Sequence, residues 1–132
     1  MSLAAALCIS VGAATITLPA SSFTLAWRHT IEKIVWEEDY QVAGGWLFLA
    51  RARIRGSGAG MEPPADAVRI GDAWVYRPAD PWRRKVELAH SEFGGDYRLC
   101  VAGRCRPLAQ VVGGRTGPLT LAACAPPPAG SS

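Results

Sequence analysis

Seven side chains between residues 29 and 62 carry the groups most able to do chemistry in this chain: His29, Glu32, Trp36, Glu38, Ser57, Met61 and Glu62. His29 follows Phe23, Leu25 and Trp27 at two-residue spacing, which places it on the apolar face at the end of a strand. Glu38 shares that spacing with Trp36 and Tyr40. A carboxylate on an apolar face needs a cation, a hydrogen-bond cage or a water-filled recess. An internal ion pair with Lys33, Arg28 or His29 would meet that need structurally, just as a core histidine with one hydrogen-bond partner would account for His29. A ligand-contacting carboxylate would meet it functionally. His29, Glu32, Glu38 and Glu62 could supply nitrogen and oxygen ligands to a cation, but their spacings match no metal motif. No metal and no cofactor are expected.

The glycine-rich loop Gly56-Ser57-Gly58-Ala59-Gly60 lacks the Lys-Ser or Lys-Thr of a phosphate-binding loop, and no helix pattern follows it. Its glycines suit a close backbone approach to another element, with Met61 and Glu62 held at the rim by the prolines that follow. Nucleophilic catalysis finds little footing. There is no G-x-S-x-G pattern, and His90 stands in a polar loop beside Ser91 and Glu92. Paired carboxylates of the glycosidase kind are a matter of tertiary distance that sequence does not settle.

The elements that must position these residues read as strands. Two-residue alternation bounded by Gly and Pro recurs about every ten residues, and few stretches hold a helical period. The pattern predicts strands over 7–11, 14–18, 22–29, 37–43, 46–55, 68–70, 73–77, 85–89, 96–101, 104–107 and 119–123, with a helical turn at 108–112. The fold class expected is all-β: an antiparallel β-sandwich or partly open β-barrel of about ten short strands, closed by disulfides. For the hairpin at 37–55 a three-residue loop, Ala43-Gly44-Gly45, is the expected turn. It sets Trp36, Tyr40 and Val42 on one face with Trp46, Phe48, Ala50, Ala52 and Ile54, and Glu37, Asp39 and Gln41 on the other with Arg51 and Arg53.

The 132 residues suit one domain. We divide them into a leader remnant or expression scar at 1–6, a single β-domain at 7–124 and a disordered Pro-rich tail at 125–132. Fourteen Lys and Arg against eleven Asp and Glu give a net charge of +3, without a single-sign block. That distribution argues against a nucleic-acid partner. The absence of an eighteen-residue apolar run removes a membrane-spanning helix.

Four cysteines are present. Cys100 and Cys105 flank a short turn, while Cys8 and Cys124 lie near opposite ends. The expected pairs are therefore Cys8 with Cys124 and Cys100 with Cys105, worth about 4 to 5 and about 2 kcal/mol on the chain-entropy model. A four-cysteine zinc site is the rival, but Cys8 and Cys124 are both solitary. Disulfides imply an oxidising compartment, and with it a mature chain whose leader has been removed.

Five blocks in order, W-R-H-T-I-E-K at 27–33, W-E-E-D-Y at 36–40, G-S-G-A-G-M-E-P-P at 56–64, W-V-Y-R-P at 74–78 and G-D-Y-R-L-C…R-C-R-P-L at 95–108, resemble the family catalogued as domain of unknown function 1850. The resemblance spans about Leu7 to Cys124. Thr30 departs from it, standing where the family's H-S-V-E-K motif has Ser. The resemblance implies a small exported bacterial protein, periplasmic, encoded beside tripartite transporters of the TAXI type. The function expected is thus a non-enzymatic periplasmic binding or accessory module, with transporter components or a small solute as partner. The alternative is a metal- or solute-binding enzyme or sensor built on the His/Glu cluster.

Overall fold

Short apolar-polar alternation broken by Gly and Pro yields twelve strands and one helical turn among the described residues. The computed structural model describes residues 5–29, 34–56, 64–88 and 97–124, with His29 through its backbone alone. The strands are β1 (Ala6–Val11), β2 (Ala14–Pro19), β3 (Ser22–His29), β4 (Ile34–Ala43), β5 (Trp46–Arg55), β6 (Val68–Ile70), β7 (Ala73–Tyr76), β8 (Trp82–Arg83), β9 (Lys85–Leu88), β10 (Arg98–Val101), β11 (Arg104–Pro107) and β12 (Leu119–Cys124), with the turn α1 (Leu108–Val111) before the last. They form two antiparallel sheets. The smaller runs β2-β1-β12-β9, and the larger β11-β10-β3-β4-β5-β7-β6 with β8 paired to β5. The all-β, sandwich-like fold is the one expected.

Two details of the strand reading change. β4 begins at Ile34, three residues ahead of the expected Glu37, because Ile34 and Val35 pair with His29 and Arg28 of β3. β8 was not foreseen: Trp82 and Arg83 follow a proline-rich connection, yet pair with Phe48 and Leu47.

The core fills the space where the small sheet lies over one end of the large one. Leu7, Ile9 and Val11 of β1 and Leu119 and Leu121 of β12 pack on Phe23, Leu25, Tyr40, Leu47, Leu49 and Leu99. Each fully buried aliphatic side chain contributes about 1.5–3 kcal/mol relative to exposure. Both disulfides have the expected partners. Cys8 joins Cys124 across β1 and β12, the first and last strands. Cys100 joins Cys105, its direct partner across β10 and β11.

The β4–β5 hairpin corrects the expected register. Ala43 pairs with Trp46, so the turn has two residues, Gly44 and Gly45, rather than three. Their φ values of 56° and 88° are those of a primed hairpin turn, which glycine adopts without strain. That register alone would turn Arg51 and Arg53 inward, away from Glu37 and Asp39. A bulge prevents it: Tyr40 pairs with Leu49 but Asp39 with Arg51, so Ala50 is the extra residue. Beyond the bulge Glu37 and Asp39 share a face with Arg51 and Arg53, as expected. Before it Leu47 and Leu49, not Phe48, share the core face with Tyr40 and Val42. Trp46 and Phe48 accordingly stand on the outer face, where both rings pack against Trp82.

Candidate functional site

Alternation along β4 puts Ile34, Trp36, Glu38 and Tyr40 on the inner face of the large sheet. Tyr40 is in the core cluster, Glu38 is half-buried, and Trp36 lies farther out along the strand. Cross-strand pairing extends this into two rows. In one, Leu99, Leu25, Glu38, Ala52 and Tyr76 stand side by side across β10, β3, β4, β5 and β7. In the next, Trp27, Trp36, Ile54 and Trp74 do the same. The Trp27 and Trp36 rings stack at 5.9 Å, and Tyr97 closes on the far side of Trp27, also at 5.9 Å. All of these aromatic side chains are half-buried, so the row is reachable from solvent.

Glu38 is the ionisable group in this setting. The Tyr40 hydroxyl donates to its Oε1 at 2.8 Å. No ion pair to it occurs among the described residues. Burial lifts its carboxyl above the usual carboxylate range, against the lowering effects of the Tyr40 hydrogen bond and the positive charge of Arg83. Its field is felt nearby. Burial, reinforced by the Glu38 charge, raises the Tyr40, Tyr76 and Tyr97 hydroxyls. Arg83 is within electrostatic range, but its Nη1 is bonded to the backbone oxygens of Asp80 and Trp82, which ties it to the connection between β7 and β8.

The outer face of the same strands shows what satisfied carboxylates look like here. Asp39 accepts both Nη atoms of Arg53 in a fork and the Thr24 hydroxyl at 2.7 Å. Glu37 accepts from Arg53 and Arg55, and Arg55 reaches on to Asp72 at 2.8 Å. These groups are engaged with one another, whereas Glu38 on the opposite face has one hydroxyl among the described residues.

Of the residues singled out from sequence, the structure brings Trp36 and Glu38 together on one face. Ser57, Met61, Glu32 and Glu62 lie outside the described residues, as does Lys33, and His29 is placed only by its backbone, opposite Ile34. Arg28 alternates with Trp27 and so belongs to the other face, which removes it as the internal partner of Glu38. Sequence reasoning missed Tyr76, Tyr97 and Trp74. The W-V-Y alternation at 74–76 held a signal, since it puts a tryptophan and a tyrosine on one face, but which face was open. Among the described residues no three His, Cys, Asp or Glu side chains come together as a metal site.

A concavity lined by described residues lies elsewhere. A groove of about 700 Å3 runs along the outer face past Phe48, Ala50, Arg51, Val68, Ile70 and Val75. Val68 and Ile70, at the sheet edge, are 60% and 61% exposed. Volume and chemistry therefore diverge. We place the candidate site at Glu38, because among the described residues no cation is bonded to its half-buried carboxylate, while Arg51 already has Asp39 at 3.6 Å.

No helix is long and apolar enough to cross a membrane among the described residues. The chain matches no curated protein and no solved structure. The family model for domain of unknown function 1850 matches residues 23–108. That span takes in β3 to β11, all of the large sheet with both aromatic rows, and leaves β1, β2 and β12 of the small sheet outside it. On that match, the chain belongs to the DUF1850 family.

Proposed function

We propose that this protein is a non-enzymatic binding module of the bacterial periplasm, which uses the inner face around Glu38, Trp36 and Trp27 to hold a small solute or a segment of a transporter component. The observation that carries the reading is the Glu38 carboxylate, half-buried beside solvent-reachable aromatic rings with one hydroxyl as its donor among the described residues. A half-buried aromatic row with one charged anchor is the composition of a recognition surface. Two disulfides that consume all four cysteines support an oxidising compartment. The transporter link rests on the family resemblance alone, which implies a setting beside TAXI-type systems.

The test pairs stability with binding. Trp36→Leu and Glu38→Ala should melt within about 2 kcal/mol of the wild type. The same variants should lose retention of the neighbouring transporter's components or solute from periplasmic extract. Losses well above about 2 kcal/mol in both would mark the face as internal packing and end the reading.

A further inference from the structure

We infer that the ligand of this face is an organic cation, a substituted ammonium group seated against Glu38 with its alkyl substituents on Trp36 and Trp27. The inference rests on the binding reading above and names the chemistry of what binds.

Three observations point the same way. An ionised carboxylate offers about four acceptor positions, and the described residues fill one at Glu38, from Tyr40. An anionic ligand would be repelled there, and a neutral one would displace water without compensating the charge. A cation satisfies it.

The walls are the second observation. Tryptophan faces attract cations within about 6 Å of the ring centroid. Among the described residues this contact occurs twice within the protein itself: Arg69 lies over Trp74 at 5.7 Å and Arg84 over Trp46 at 4.0 Å. Trp74 stands in the same row as Trp27 and Trp36, which carry no such cation among the described residues. The row thus has one tryptophan already matched to a guanidinium and two half-buried ones beside a carboxylate.

The third is the balance of desolvation. A compact primary ammonium is strongly hydrated and gives up water reluctantly, whereas alkyl substituents spread the charge and bury apolar area on the rings. A half-buried carboxylate between Leu25 and Ala52 and next to Trp36 favours the alkylated form.

Choline and 3,3-dimethylbutan-1-ol share a shape and differ in charge, so they separate the cation from the apolar body. We expect choline to shift the tryptophan fluorescence of the full chain saturably, and the neutral analogue to bind about tenfold more weakly or worse. Glu38→Gln keeps the size and the acceptor for Tyr40 while removing the charge, and should weaken choline by a similar factor. Equal binding of the two probes would overturn the cation while leaving the site in place. Choline binding unchanged by both Glu38→Gln and Trp36→Leu would put the ligand elsewhere and sink the site along with it. No saturable shift with choline or tetraethylammonium would overturn the inference, and the stability-and-retention test above would then decide the binding reading by itself.

Discussion

The Tyr40 hydroxyl donates to Glu38 Oε1 at 2.8 Å along one side of a single strand, joining a core tyrosine to a half-buried carboxylate. Two residues apart on β4, these side chains link the main core cluster to the row that holds Trp36. Removing the donor leaves the acceptor in place. Tyr40→Phe should therefore cost about 1–3 kcal/mol through the stranded carboxylate. Urea unfolding of the single variant, and of Tyr40→Phe combined with Glu38→Gln, checks it: the second substitution should return part of the loss.

Acid should act in opposite senses on Glu38 and Asp39. Glu38 titrates above its ordinary 4.5, so its proton is held more tightly in the folded chain. Its ionisation costs stability above the raised value, and the cost is gone below 4.5. Glu38→Gln should be more stable than the wild type at neutral pH, with the difference closing as pH falls from the raised value through 4.5. For Asp39, burial alone would raise the carboxyl, but hydrogen bonds from Arg53 and Thr24 outweigh it and hold it below its ordinary 3.8. Its contribution is present above 3.8 and disappears as pH drops through the lowered value. Asp39→Asn should be destabilised at neutral pH and converge on the wild type in stronger acid. Denaturant titrations of both variants across that range distinguish the two signs.

Gly45 has φ 88° and open space where a Cβ would stand. Gly45→Ala should thus lose about 1–2 kcal/mol from backbone strain alone, with no steric clash to relieve. Circular-dichroism melts read the loss. An unchanged melting temperature would contradict the two-residue turn.

Opening the Cys8–Cys124 bridge restores freedom to nearly the whole unfolded chain, whereas opening Cys100–Cys105 frees a short loop. The Cys8→Ala/Cys124→Ala double variant should lose about 4 to 5 kcal/mol and the Cys100→Ala/Cys105→Ala variant about 2. Equilibrium unfolding of both checks the order, which reverses only if the terminal strands stay paired without their bridge.

The β4–β5 hairpin shows how far local pattern reaches. Glu37 and Asp39 against Arg51 and Arg53 was legible from charge and alternation, because opposite charges at cross-strand positions stabilise a pair wherever the strands meet. The turn was not, since a two-residue loop gives that pairing only if Ala50 is bulged. A bulge is fixed by the whole sheet: Leu47 and Leu49 must reach the core under β1 and β12, and Arg51 and Arg53 must turn away from it. Moving Trp46 and Phe48 outward, beside Trp82, follows from the same constraint.

The sequence by itself determined most of the strand content, the cystine pairs and the presence of Glu38 on the same face as Trp36, each because a two-residue period or a chain-end relation carries it. It also held the family's motifs. Only the tertiary structure decided that Tyr76, Trp74 and Tyr97 join that face, since they arrive from segments thirty to sixty residues away and their placement depends on strand pairings that leave no mark on their own segments. The same holds for the contrast between Glu38 and its neighbours. Three consecutive acidic residues look alike in a sequence, and it is the opposite faces of one sheet that give Glu37 and Asp39 their arginines and leave Glu38 among aromatic rings.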